Sequence, residues 1–182
     1  MCRVRISLTG GVGVGLVYLI RHAEPEVSGV LLGRTDIALR STSIPAAPFT
    51  AATVFASPLI RARRTAELLF PSQAVTVLDG FAERDLGEWE GRSWDEVERD
   101  WPELGGSAAL DWFGTTPPSG EPWGCFSERI ASAWHAARQA ERPIAVIAHA
   151  GVNAVLAQLI AGSNPAEFRQ AYLEALTFEL DN

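Results

Sequence analysis

Histidine is scarce in this chain, and two of its three copies stand where an apolar run ends. LVYLI at 16–20 runs into Arg21 and His22, and AVIA at 145–148 runs into His149. His135 lies between Trp134 and alanines inside a helical pattern and reads as a surface residue. An imidazole with an ordinary pKa of about 6.5 keeps a free lone pair where cationic neighbours disfavour its charged form. Arg21 is such a neighbour for His22. Attack by that lone pair on phosphorus would give phosphohistidine, replacing one hard hydrolysis with two easier transfers. The anionic phosphoryl group would need fixed donors, and planar, permanently charged guanidinium groups suit it.

SPLIRARRTAELL at 57–69 supplies a second arginine. Ser57 or Pro58 can open a helix there, and Arg61 and Thr65 then share one face while Arg63 and Arg64 point to solvent. The unpaired N–H groups of a first helical turn add positive potential toward an anion. A departing alkoxide needs a proton, and Glu83 in FAERDLGEWEG is the leading donor, with Asp85, Glu88 and Glu90 as alternatives. Such a carboxyl must be buried enough to hold its proton near neutral pH. No HExxH helix or compact carboxylate-histidine cluster is present, only scattered Asp36, Asp79, Asp85 and Asp95. The expected chemistry is therefore metal-independent and needs no cofactor.

Positioning these groups falls to alternating elements. Strands are expected at 16–20, 53–57, 74–78 and 145–148, with a final edge strand at 176–180. Helices are expected at 94–101, 125–139, 153–160 and 167–175. Three strands end in polar or charged residues, and in open α/β sheets active sites collect at that carboxyl edge. The expected fold class is α/β, a three-layer α/β/α sandwich around a mostly parallel central sheet. Residues 1–15 read as an N-terminal extension with a short strand at 4–8, and 16–182 as one domain. The glycine run at 10–15 lacks the Lys-Ser or Lys-Thr of an ATPase phosphate loop.

With 15 Lys and Arg against 22 Asp and Glu, a net charge of −7 argues against broad attraction to nucleic acid or anionic membrane. It leaves room for a small phosphorylated substrate, because a few converging arginines dominate locally. Cys2 and Cys125 are too few for a disulfide scaffold, and the apolar stretch at 8–20 is shorter than a membrane span, so a cytoplasmic location is expected.

In order along 16–180, the motifs IRHAEP, GRTDIAL, SPLIRARRTAELL, ERDLGEWEG, PPSGEPWGCFSERI and HAGVNAVL resemble the histidine phosphatase superfamily, in its phosphoglycerate-mutase-like branch. The resemblance implies that His22 accepts the phosphoryl group, that Arg21, Arg61 and His149 bind it, and that Glu83 is the proton donor. It also implies substrate contacts from Ser28, Gly33, Arg34 and Ala150. Two departures stand out. Ala23 replaces the usual glycine after the first histidine, and Ser28 stands near where the family places an asparagine. RSTSIPAAPFT at 40–50, with its two prolines, cannot hold the usual helix. That leaves one flank of the sheet thin or covered by a partner, so a homodimer is an open expectation.

Short length, GEWEG at 87–91 and PPSGE at 117–121 look more like the α-ribazole phosphatase branch than like glycolytic mutases. The expected function is a phosphomonoester hydrolase acting on α-ribazole 5′-phosphate in cobalamin biosynthesis. Trp89, Trp94, Trp112, Phe113 and Trp123 lie in the segments expected to cap the site, and Trp112 and Trp123 are taken as substrate contacts. The alternatives are a broad-specificity sugar or nucleotide phosphatase, a phosphoglycerate-type mutase and a non-catalytic phosphate-binding protein.

Overall fold

The computed structural model describes residues 15–102 and 114–180. The expected strand at 4–8, nearly all of the glycine run, Trp112 and Phe113 lie outside the described residues. Five strands, β1 (Leu16–Arg21), β2 (Thr53–Ala56), β3 (Val75–Val77), β4 (Ile144–Ala148) and β5 (Ala175–Glu179), form one sheet in the order β3-β2-β4-β1-β5. All neighbours are parallel except β5, which runs antiparallel to β1 at the edge.

Burial explains the central strand. β4 reads IAVIA and is buried throughout, as a strand covered on both faces must be. Ile144, Val146 and Ala148 join Val17 and Leu19 on one face, beneath α3 (Trp123–Ala137) and α4 (Ala150–Ala161). Ala145 and Ile147 join Ile20, Val54 and Ala56 on the other, beneath Ala62 and Ala66 of α1 (Ile60–Leu69). The result is the three-layer α/β/α sandwich. α3 is held by the buried stripe Phe126, Ile130, Trp134 and Ala137, which recurs at helical spacing. The short α2 (Trp94–Asp100) opens with a reciprocal cap between Ser93 and Glu96 and packs Val97 into a satellite cluster with Leu86 and Trp89.

Two segments bear on the sequence reading. Residues 40–50 form no helix, as the prolines require, and Phe49 stacks on Tyr18 at 4.1 Å and meets Phe70 at 6.1 Å, packing this segment against part of that flank. The expected helix at 167–175 is corrected: a short 3-10 turn at Pro165–Glu167 leads into an irregular strap. Its backbone bonds to the end of β1 where a helix would have bonded to itself, and bonds between Glu174 and Ala171 close the turn. Arg21 N donates to Glu174 O (3.2 Å) and Leu173 N to Arg21 O (3.1 Å). The buried Gln170 side chain donates to Leu19 O and Glu174 O and accepts from Asn153. Leu173 takes φ 63°, a conformation that ends any helix here. No helix among the described residues is long and apolar enough to cross a membrane.

Candidate active site

Register brings the two histidines together. β1 pairs Arg21 with Ala148 and β2 pairs Ala56 with Ile147, so His22, His149 and Ser57 emerge side by side from the carboxyl edge. The His22 and His149 rings lie 5.0 Å apart, edge to face.

His22 is buried, and its Nδ1 lies 2.7 Å from Ala23 O. A carbonyl can only accept, so Nδ1 carries the proton and Nε2 keeps its lone pair. Arg61 Nε donates to that Nε2 at 3.3 Å. Burial, then Arg61 and Arg21, lower the imidazole pKa to about 3 against the opposing bond to Ala23. His22 is therefore neutral at any ordinary pH. Among the described residues only Ser119 and Leu173 are non-glycine residues with positive φ, so Ala23 sits without strain. Its N–H donates to Thr65 Oγ1 (3.0 Å), and that hydroxyl donates to Arg61 O.

Arg61, 1% exposed, is aimed by its other donors: Nη1 to Thr35 O (2.8 Å) and Nη2 to Gly33 O (2.7 Å) and Leu32 O (3.3 Å). Asp36 Oδ1 accepts from Ile60 N, capping α1 from a distance where Leu59 offers no side-chain cap. Arg21 Nη1 donates to Gln170 O (2.7 Å), and the Tyr172 ring covers its guanidinium at 3.9 Å. Its buried Nε has no hydrogen-bond partner among the described residues. His149 Nε2 pairs with Ser57 Oγ at 2.7 Å, its Nδ1 is likewise unpartnered, and burial with Arg61, His22 and Arg21 holds its pKa well below the usual range.

Glu83 faces the same place. Its carboxyl oxygens accept from Arg84 N (2.9 Å) and from Gly151 N (3.3 Å) in the first turn of α4. Burial raises its pKa, outweighing those two bonds and the fields of Arg61 and Arg129. Arg129 fixes this segment by donating to the carbonyls of Gly80, Ala82 and Glu83 while holding both oxygens of Glu121.

Arg21, His22 and Glu83 open on a cleft of about 320 Å³, while the buried Arg61 and His149 lie behind its lining, in contact with His22. Arg21, His22, Glu83, Ala150 and Gly151 form its polar part, and Val30, Leu31, Leu32, Leu86, Trp94 and Tyr172 its mainly apolar wall. The other carboxylates of the Glu83 segment are engaged elsewhere: Asp85 caps Gly87, the exposed Glu88 accepts from Ser119, and Glu90 binds the 34–35 backbone. Ser28 stands apart on an exposed loop, accepting from Arg40. Gly33 acts through its carbonyl on Arg61, and the half-exposed Arg34 reaches Glu121 at 3.7 Å. Trp123 packs on Phe126, and Trp89 is core; among the described tryptophans Trp94 is the one that lines the cleft. Trp112 lies outside the described residues, and His135 is exposed.

Sequence reasoning missed Tyr172, Gln170 and the role of Ser57. The first two were masked by the helical reading of 167–175. Ser57 did carry a signal, since it follows its strand just as His22 and His149 follow theirs. Chemically, the site sets a neutral imidazole nitrogen beside two guanidinium groups and a buried carboxyl whose pKa is raised. A phosphoryl group entering above His22 would take over the Arg61 N–H that now rests on Nε2. Among the described residues no group of three or more His, Cys, Asp or Glu side chains could hold a metal ion.

Comparison with known proteins places these features in a context. The profile of the histidine phosphatase superfamily (branch 1) matches residues 17–178. The uncharacterized phosphatase PhoE of Bacillus subtilis (strain 168) is 32% identical over a 99-residue alignment that covers 48% of this chain and 51% of PhoE. The match thus spans about half the length of that curated relative. The crystal structure of the α-ribazole phosphatase from Shigella flexneri superposes with a TM-score of 0.73 at 25% identity, covering 91% of both chains. A mycobacterial glucosyl-3-phosphoglycerate phosphatase shares the fold, with a TM-score of 0.71 at 19% identity over 90% of this chain and 89% of its own.

Proposed function

The chain belongs to branch 1 of the histidine phosphatase superfamily, and from that premise we propose that it hydrolyses phosphomonoesters through a phosphohistidine on His22. The observation that carries this reading is a neutral His22 whose Nε2 lone pair meets only the Arg61 N–H, in the same cleft as a buried Glu83 whose pKa is raised. In the first step Nε2 attacks phosphorus, the P–O bond to the leaving group breaks, and Glu83 gives its proton to the departing oxygen. In the second, Glu83 takes a proton from water as that water attacks phosphorus. The P–N bond breaks, its electrons return to Nε2, and inorganic phosphate leaves. Arg21, Arg61 and His149 hold the equatorial oxygens throughout, in a buried setting where such donors count for more than in water.

The test is chemical trapping. Wild-type protein quenched during turnover of a ³²P-labelled monoester should carry an acid-labile, alkali-stable phosphoryl group, and His22→Ala should carry none. Normal turnover by His22→Ala would end this reading.

For the substrate we favour α-ribazole 5′-phosphate. The similarity to the Shigella flexneri enzyme supports it, as does a wall of Leu31, Leu32, Leu86, Trp94 and Tyr172 that suits a flat, mostly apolar leaving group. Among the described residues that line the cleft, Arg21 alone is a Lys or Arg, and in this reading it serves the phosphoryl group, which disfavours the additional carboxylate of a phosphoglycerate. In a panel with nucleoside monophosphates, sugar phosphates and 3-phosphoglycerate, α-ribazole 5′-phosphate should lead in kcat/KM by at least about tenfold, or about 1.4 kcal/mol. Equal values across the panel would remove the substrate and leave the mechanism.

A further inference from the structure

We propose that Glu90 is a positioning residue for Arg61, acting through the peptide unit between Gly33 and Arg34, an inference that rests on the phosphohistidine reading of the site. Glu90 does not line the cleft. Its carboxylate instead gathers four donors: Oε1 accepts from Arg34 N (2.6 Å) and Leu86 N (3.3 Å), and Oε2 accepts from Thr35 N (2.9 Å) and the Thr35 hydroxyl. Four acceptances are about what two carboxylate oxygens can offer, so the group is fully engaged.

The segment so held has no regular secondary structure, and its carbonyls serve Arg61. Gly33 C=O and Arg34 N–H belong to one planar peptide unit and point in opposite directions. Arg61 takes the carbonyl at 2.7 Å and Glu90 takes the N–H at 2.6 Å. A single amide is therefore clamped between a cation and an anion, with each end's bond strengthened by charge and polarised by the other. The contacts from Arg61 to Leu32 O and Thr35 O complete the cradle. With the Nη atoms committed to the loop, the guanidinium plane is set, and Nε is the donor left facing His22.

Gly33 makes the clamp possible. A Cβ at that position would overlap a Glu90 carboxylate oxygen and the Arg84 carbonyl, so no other residue lets the amide approach. The chain of contacts runs Glu90, amide 33–34, Arg61, His22. Glu90 touches neither nucleophile nor substrate.

The experiment combines Glu90→Gln and Glu90→Ala with Arg61→Ala. Glu90→Gln presents an NH₂ group to backbone N–H donors and removes the charge, so kcat should fall about 10- to 100-fold with KM changed much less, the scale expected when a catalytic group is misplaced by about 1 Å. Glu90→Asp, which keeps the carboxylate, should recover part of the loss. On the Arg61→Ala background, either Glu90 substitution should change kcat less than about twofold, because the group it aims is gone. The alkaline limb of the kcat profile should stay in place in Glu90→Gln, which separates positioning from proton donation. Should Glu90→Ala fail to fold, Glu90→Gln carries the test alone. If the Glu90 and Arg61 defects multiply, or if Glu90→Gln matches wild type, the proposal is overturned. Failure of the underlying mechanism would show separately, as turnover by His22→Ala.

Discussion

A protonated carboxyl helps only where the leaving group needs a proton, and that gives Glu83 a signature. Glu83→Gln should lower kcat/KM, which reports phosphoryl transfer to His22 and not the later hydrolysis in which Glu83 is the base, about 10²- to 10⁴-fold on alkyl phosphates, the usual range for general acids. The loss on p-nitrophenyl phosphate should be far smaller, because its leaving group departs as a stable anion. Equal losses on both, from steady-state kinetics, would reassign the role. Tyr172 offers a second test. Its ring covers the Arg21 guanidinium and lies 5.6 Å from the His22 ring. Tyr172→Phe keeps the ring and should stay within about threefold of wild type, while Tyr172→Ala should lose about tenfold in kcat/KM as a cation–π contact worth about 1 kcal/mol or more disappears. At this scale the sequence was informative wherever a chemical group follows its strand directly. Arg21, His22 and His149 needed only the apolar runs before them to be noticed. Tyr172 was not legible, since its partner lies 151 residues earlier and no local pattern reports such a contact.

Among the elements, those with a clear period were read most nearly. The α3 stripe foretold a helix, and the structure buries Ile130 completely within it. Ile130→Ala should destabilise the fold by about 2–5 kcal/mol, read as a lowered denaturant midpoint with the slope unchanged. The start of α4 was placed three residues late, and the difference matters: beginning at Ala150, the helix turns the Gly151 N–H onto Glu83. The strap at 167–175 was misread because FRQAYLEA has helix-forming composition, whereas its fold is decided by the exposed end of β1. Tertiary hydrogen bonds outweighed propensity there.

Over the whole molecule, two buried neutral histidines make stability depend on pH. Their folded pKa values lie below the unfolded value of 6.5, His22 at about 3 and His149 well lowered. Between those limits the unfolded chain binds protons that the folded chain refuses, so stability is present above pH 6.5 and is lost as pH falls toward 3. Glu83 acts oppositely: its raised pKa favours the fold at low pH and that share is lost as pH rises through the folded value. With the opposing carboxyl removed in Glu83→Gln, unfolding free energy should fall from pH 7 to pH 5, by at most about 1.4 kcal/mol per pH unit for each histidine. Denaturant titrations of that variant at pH 5, 6 and 7 check this, and a flat profile would mean that the histidines are not buried as neutral groups.

The position of β1 has a consequence for synthesis. It is the earliest described strand to be made, yet both of its sheet neighbours, β4 and β5, come from residues 144–148 and 175–179. Arg21 is likewise gripped by Gln170, Tyr172 and Glu174. A nascent chain still short of these residues carries His22 on a strand with no partner in the sheet and Arg21 without its grip. On the ribosome the site is assembled late, so prematurely terminated chains lacking residues 170–179 should be inert toward phosphate esters, however much of the remaining sheet they form.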